Sequence, residues 1–230
     1  MPLVVKCFPT DIRRAATSGL SIVARAQMVA QQIREGYDLA SDIYLGPEYL
    51  FANDIASLPG RCSPITSQEA DQAKSIIAEA SRYAVGMLVV PGTFFFSSGG
   101  AQSTVSNTAY AYVNGKEVAS VSKSGQAADA QYASDSGQVY MPTAGPDAST
   151  VFNWAGLTVC LQICADITLN PRAKCDLGLH PAFMPGAVMG HANSLDNAPA
   201  RRVILDGQMG VPRAVPAASA TVSHGIVMFR

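Results

Sequence analysis

Short apolar runs alternate with two helix-like stretches up to residue 90, and from Thr108 the chain turns to hairpins. That order leaves few architectures open, because strand–helix units followed by hairpins pack as mixed sheets layered with helices. Pro2 to Phe8 is apolar and β-branched, as a first strand is, and Pro9-Thr10-Asp11 breaks it. Between Leu20 and Arg34, Ile22, Val23, Ala26, Met28, Val29 and Ile33 recur every three or four residues, which predicts an amphipathic helix with Gly36 as its stop. Leu39 to Leu45 then reads as a strand running into Gly46-Pro47-Glu48. Ser67 to Tyr83 opens with Ser67, Glu69 and Asp71, suited to a helix N-terminus, and lines Ala73, Ile76, Ile77 and Ala80 along one face. Gly86 to Val90 reads as the strand that Pro91-Gly92 ends.

Thr108 to Val113 and Lys116 to Val121 alternate in polarity around Asn114-Gly115, the dipeptide best suited to a two-residue type I′ turn. Gly125 to Ser149 has little periodicity and reads as a long ordered loop. Val151 to Phe152 and Leu157 to Ile163 form a second expected hairpin turning at Trp154-Ala155-Gly156, whose second strand delivers Cys164 at its end. Cys160 and Gln162 share a strand face with Cys164 by the period of two, and Cys160 reads as core. Asp176 to Leu179 and Ala187 to Val188 are short apolar pieces, Ala198 to Gln208 reads as a helix, and Ser219 to Phe229 as two strands around His224-Gly225.

The charges nearly cancel, with 16 Lys plus Arg against 17 Asp plus Glu and no block of one sign, which argues against a nucleic-acid partner. Apolar runs are far shorter than a spanning helix, and Met1 to Pro9 lacks the apolar core of an export signal, so an unexported protein off the membrane is expected. The odd count of five cysteines, Cys7, Cys62, Cys160, Cys164 and Cys175, reads as reduced thiols in a cytoplasmic setting. No metal site is expected, because Cys160 and Cys164 stand four apart without a CxxC or HExxH and His180, His191 and His224 are scattered. Gly99-Gly100 lacks the strand, spacing and lysine of a phosphate loop.

Three polar residues stand where apolar runs end: Glu48 in Gly-Pro-Glu-Tyr, Lys123 in Val-Ser-Lys, and Cys164 in Leu-Gln-Ile-Cys-Ala-Asp. Strand ends are rigid and open on one side, so they can bring a carboxylate, an ammonium and a thiol to one pocket. Met singly, each has an ordinary reading: a buried structural thiol, a solvated lysine, a capping or surface carboxylate. Glu48 fits that reading least, since it lies between apolar segments where an unpaired carboxylate is costly. Asp166 reads as a local backbone partner that fixes the Cys164 loop. None of the three histidines sits in a context that points to Cys164.

In that order, Glu, Lys, Cys, these motifs resemble the nitrilase (carbon–nitrogen hydrolase) superfamily, whose members share a Pro-Glu after one strand, a Lys after a hairpin and an Ile-Cys-x-Asp or similar motif. The similarity covers about the first three quarters of the chain and returns loosely at Ser219 to Val227. It implies an α/β fold, a nitrilase-like α-β-β-α sandwich with mixed sheets and a somewhat shortened C-terminal part, as one domain over residues 1–230 that pairs as a homodimer. It also implies hydrolysis of a small amide or nitrile without a cofactor.

The residues fit that chemistry on their own terms. A free thiol is mostly protonated at neutral pH, and a neighbouring ammonium with a carboxylate base favours the thiolate. Cys164 is then the nucleophile, Glu48 the proton carrier, and Lys123 with the backbone N–H of Ala165 the oxyanion donors. Acyl transfer through the same acyl-enzyme, or a catalytically silent scaffold on the same fold, are the alternative readings. Many relatives carry a second glutamate between the lysine and the cysteine, whereas this chain has none from Ser124 to Ile163; Asp129, Asp135 and Gln138 are the candidates to stand in, the last two nearest the expected place. Relatives acting on carbamoylated amino acids show arginine just after the cysteine; here Ile167 and Thr168 stand there and Arg172 comes later.

Overall fold

The computed structural model describes residues 2–9, 19–53, 62–99, 103–124, 137–141, 150–169, 171, 173–183, 198–207 and 211–230. Strand β1, Leu3–Cys7, buries alternate residues and pairs in parallel with β2, Ile43–Leu45. Helix α1, Ile22–Asp38, joins them; Ser21 caps it by accepting the Ala24 N–H at 3.2 Å, and Ile22, Ala26, Val29, Ala30 and Ile33 form its buried stripe. Gly36 is not the expected stop. It lies inside the helix, where a Cβ would come within 2.9 Å of the Lys6 side chain and 3.4 Å of Met87, so its bareness sets how closely α1 lies on β1. Because α1 runs on to Asp38, the following strand begins at Ile43 and not at Leu39.

Helix α2 spans Ser67–Tyr83, as its periodicity predicts. Its cap is one residue earlier than expected: Thr66 accepts the Glu69 N–H while the Glu69 carboxylate takes the Thr66 N–H, a complete capping box. The helices pack side by side, and α2 lies across β3 (Ile65–Thr66), β5 (Thr93–Ser97), β6 (Thr104–Val113) and β7 (Lys116–Ser122). With β1, β2, β4 (Leu88–Val90), β8 (Val139–Tyr140), β14 (Ala220–Ser223) and β15 (Ile226–Phe229) these strands form a ten-stranded mixed sheet, in the order β14-β15-β1-β2-β4-β6-β5-β3, with β7 and β8 also paired to β6. Strands β3 and β5 are short and pair with each other in parallel, Ile65 opposite Phe96. Of the expected loop from Gly125 to Ser149, residues 125–136 and 142–149 lie outside the described residues, and β8 interrupts the rest.

The smaller sheet has the order β13-β12-β11-β10-β9, from β9 (Thr150–Trp154), β10 (Leu157–Leu161), β11 (Leu177–Ala182), β12 (Arg201–Asp206) and β13 (Val211–Val215). Here the expected helix at Ala198 to Gln208 is overturned: Arg201–Asp206 is a strand in parallel register with β11, Val203 opposite Leu179 and Leu205 opposite Pro181. Val203 and Leu205, two apart, face the core, and that period of two outranks helix propensity. The apolar piece at Ala187 to Val188 lies outside the described residues.

Asn114-Gly115, Ala155-Gly156 and His224-Gly225 all close their hairpins with positive φ at both positions, 52° and 77°, 47° and 79°, 47° and 77°. This is the geometry of a type I′ turn, which matches the twist of the strands it joins. Val159, Leu161, Leu177, Leu179, Val203 and Leu205 share one apolar core with Val5, Ile43, Leu45 and Val89 of the larger sheet. Cys160 is buried, but on the opposite face of the smaller sheet, in register with Gly178 and Arg202. α1 and α2 are the α-helices among the described residues and both serve the larger sheet, so the second helical layer that the resemblance implies has no α-helix among them. No helix among the described residues is long and apolar enough to cross a membrane.

Candidate active site

Glu48 is set by a crossing of two backbones beyond the ends of β2 and β4. A Cβ on Gly46 would fall 2.1 Å from the Pro91 carbonyl oxygen and one on Gly92 would fall 2.5 Å from that of Pro47, so neither position admits a side chain. The Gly46 N–H donates to Val90 O at 2.7 Å and Thr93 N–H to Pro47 O at 3.2 Å. Tyr49 follows in the left-handed region, φ 59°, with its N–H on Thr93 Oγ1 at 2.8 Å. From α1, the buried Arg25 guanidinium donates to Ala52 O at 2.5 Å and Leu50 O at 3.4 Å. These bonds aim the Glu48 carboxylate inward, where it is 0% exposed.

Lys123 follows the last residue of β7, and its backbone N–H donates to Asn107 O on β6 at 2.8 Å. Its ammonium, on a residue 3% exposed, meets Glu48 Oε1 at 2.5 Å. It also lies 5.4 Å from the centre of the Tyr49 ring and 3.5 Å from the Tyr49 hydroxyl. Tyr49 is held edge-on against Phe95 and Phe183. Asn107 Nδ2 donates to the same Glu48 oxygen at 3.0 Å.

Cys164 stands three residues beyond the end of β10, not on the strand itself, and opens a 3-10 turn, Cys164–Thr168, with a left-handed φ of 48°. Such backbone is costly for a residue with a Cβ and persists where its surroundings enforce it. Two ties do so here: Asp166 takes the Ser124 N–H at 2.9 Å and the Ser124 hydroxyl, and the Gln162 amide donates to Asp166 O at 2.8 Å and Leu169 O at 2.9 Å. The Asp166 carboxylate therefore links the cysteine turn to the residue after Lys123, a longer reach than the local backbone role expected of it. Ala165 is the second residue of that turn, where the first N–H groups have no partner within the turn, and no side chain caps it.

Electrostatically the thiol is kept neutral. Burial, and then the negative charge of Glu48, push the Cys164 thiol well above its ordinary range; Lys123 and the Phe183 N–H oppose this, and the thiol hydrogen-bonds to the Glu48 carboxylate. The Glu48 carboxylate raises the thiol more than the Lys123 ammonium lowers it, so the neutral thiol is the favoured form.

Glu48, Lys123 and Cys164 are therefore brought together. Gln138 is not among them, since its amide donates to Ser103 Oγ at 2.7 Å and Ser97 Oγ at 3.2 Å. Asp129, Asp135, Arg172 and His191 lie outside the described residues. His180 is fully buried, and burial, then Arg202, push it down to about 3, while the Gln162 backbone opposes them; it is neutral and not paired with Cys164. No group of three or more His, Cys, Asp or Glu among the described residues could hold a metal. Asn107, Tyr49 and Phe183 were missed. For Asn107 a signal was present, because the register of the Asn114-Gly115 hairpin sets Thr108 opposite Ser122, beside Lys123.

No family model matches the chain, and no curated protein matches it. Solved structures do. An amidase from Nesterenkonia sp. AN1, as a double mutant in complex with acrylamide, superposes with a TM-score of 0.68 at 14% identity over 100% of this chain and 89% of that one. A cysteine-to-serine mutant of that amidase, described as from the nitrilase superfamily, gives 0.65 at 14% identity over 100% and 90%. A third form, with the acetamide moiety of fluoroacetamide added covalently at the active-site cysteine, gives 0.67 at 14% identity over 100% and 89%. The chain shares the fold of these nitrilase-superfamily amidases.

Proposed function

We propose that this chain is a carbon–nitrogen hydrolase that cleaves a small amide or nitrile through a thioester on Cys164. The observation that carries this reading is the convergence of a neutral thiol, an ammonium and a carboxylate, the three residues being 6%, 3% and 0% exposed, on a fold shared with amidases that have an active-site cysteine.

For an amide, Glu48 takes the thiol proton as sulfur bonds to the carbonyl carbon, so the nucleophile forms only when substrate is in place. The Lys123 ammonium and the Ala165 N–H receive the oxyanion. Glu48 then returns the proton to the leaving nitrogen, the carbon–nitrogen bond breaks and a thioester remains. Water, deprotonated by Glu48, attacks that thioester and releases the acid and the thiol. The same reading carries a homodimer in the cytoplasm, testable by sedimentation and fractionation.

Incubation with a panel of small aliphatic amides and nitriles should release ammonia, with an acyl adduct on Cys164 visible by intact mass. Cys164→Ala should remove both while the fold persists. Full turnover by that variant would overturn the mechanism.

A further inference from the structure

Asn107 lies within β6, fully buried, and touches both charged members of the site. Its side-chain amide donates to Glu48 Oε1 at 3.0 Å, the oxygen that also takes the Lys123 ammonium, and its backbone carbonyl accepts the Lys123 backbone N–H at 2.8 Å. Strand β6 is rigid there, paired with β5 through Asn107 opposite Phe95 and with β7 through Thr108 opposite Ser122. An amide side chain in the middle of a buried strand is costly unless bonded, and here its donor is spent on a carboxylate.

We propose that Asn107 is a positioning residue for the hydrolysis, fixing the Glu48 carboxylate and holding it ionised; this rests on Glu48 being the proton carrier. Burial favours the neutral carboxylic acid, which cannot accept the thiol proton, whereas a donor on the carboxylate favours its ionised form. Lys123 supplies part of that support, but its ammonium is also asked to meet the oxyanion. As it turns toward the developing charge, the Asn107 N–H keeps Oε1 in place, so the carboxylate neither rotates nor takes its proton too early.

The test uses the full chain with Asn107→Leu, which keeps volume without a donor, and Asn107→Asp, which keeps shape and reads out if the leucine variant does not fold. Two pH profiles are taken: kcat/KM for a small amide, and the rate of Cys164 alkylation by iodoacetamide followed by mass. Asn107→Leu should lower kcat by about tenfold or more with KM nearly unchanged, and shift the acidic side of both profiles to higher pH. Asn107→Asp should shift it further, because two carboxylates at that distance share a proton. Profiles that superimpose on the unsubstituted protein, with only thermal stability lowered, would overturn the role. If the unsubstituted protein turns over no amide while the alkylation profile still moves, the hydrolysis reading fails and the positioning of Glu48 by Asn107 stands.

Discussion

The Glu48–Lys123 pair is buried to a degree that makes its two halves hostages of each other. A charge left alone in such a place costs about 3–5 kcal/mol, whereas removing both charges with volume kept is often close to neutral. Lys123→Met should therefore lower the free energy of unfolding in urea at pH 7 by about 3 kcal/mol or more, and adding Glu48→Gln should restore most of that loss without restoring turnover. These two residues and Cys164 were legible because each ends an apolar run in a recognisable local context. Phe183 was not: it acts through its backbone N–H, and a backbone group leaves no mark in the sequence. Tyr49 was written beside Glu48, but its place under the ammonium depends on the left-handed turn that the crossing glycines impose.

At the scale of elements, the hairpins were the most readable part because turn chemistry is local. Gly115 has φ 77° and its Cβ position lies 3.1 Å from Ala78 O and from the Arg82 side chain, so Gly115→Ala adds backbone strain to a tight fit against α2. Its thermal midpoint should fall by an amount equivalent to about 1–2 kcal/mol or more, whereas Gly156→Ala, with a similar φ but open space around it, should lose only the strain. Arg201–Asp206 was misread because Val203-Ile204-Leu205 is apolar on both faces, which hides a period of two. Both faces are buried in the folded chain, and that fact belongs to the tertiary structure. Gly36 misled for a related reason, since a glycine that stops a helix and one that lets a helix approach a strand look alike in sequence.

At the scale of the whole molecule, one effect of acid is expected from the far face of the smaller sheet. His180 titrates near 3 in the folded chain against 6.5 as its ordinary value. Between those values the unfolded chain binds a proton that the folded chain refuses, so this contribution is fully present above pH 6.5 and is lost as pH falls toward 3. At pH 4 the loss reaches about 3 kcal/mol. Urea midpoints measured from pH 7 to pH 4 should fall less steeply in His180→Leu than in the unsubstituted protein.

Glu48 and Lys123 come from the larger sheet, Cys164 and Phe183 from the smaller, and the Glu48 N–H reaches across to Ala182 O at 3.4 Å. The three groups of the candidate site thus sit on the seam between two layers, and the spacing of those layers sets their spacing. A slip of one sheet against the other, too small to alter any strand, would move the thiol relative to the carboxylate. On the proposed mechanism, an acyl group on the sulfur would be carried at that seam, between the two layers that hold the carboxylate and the thiol in register.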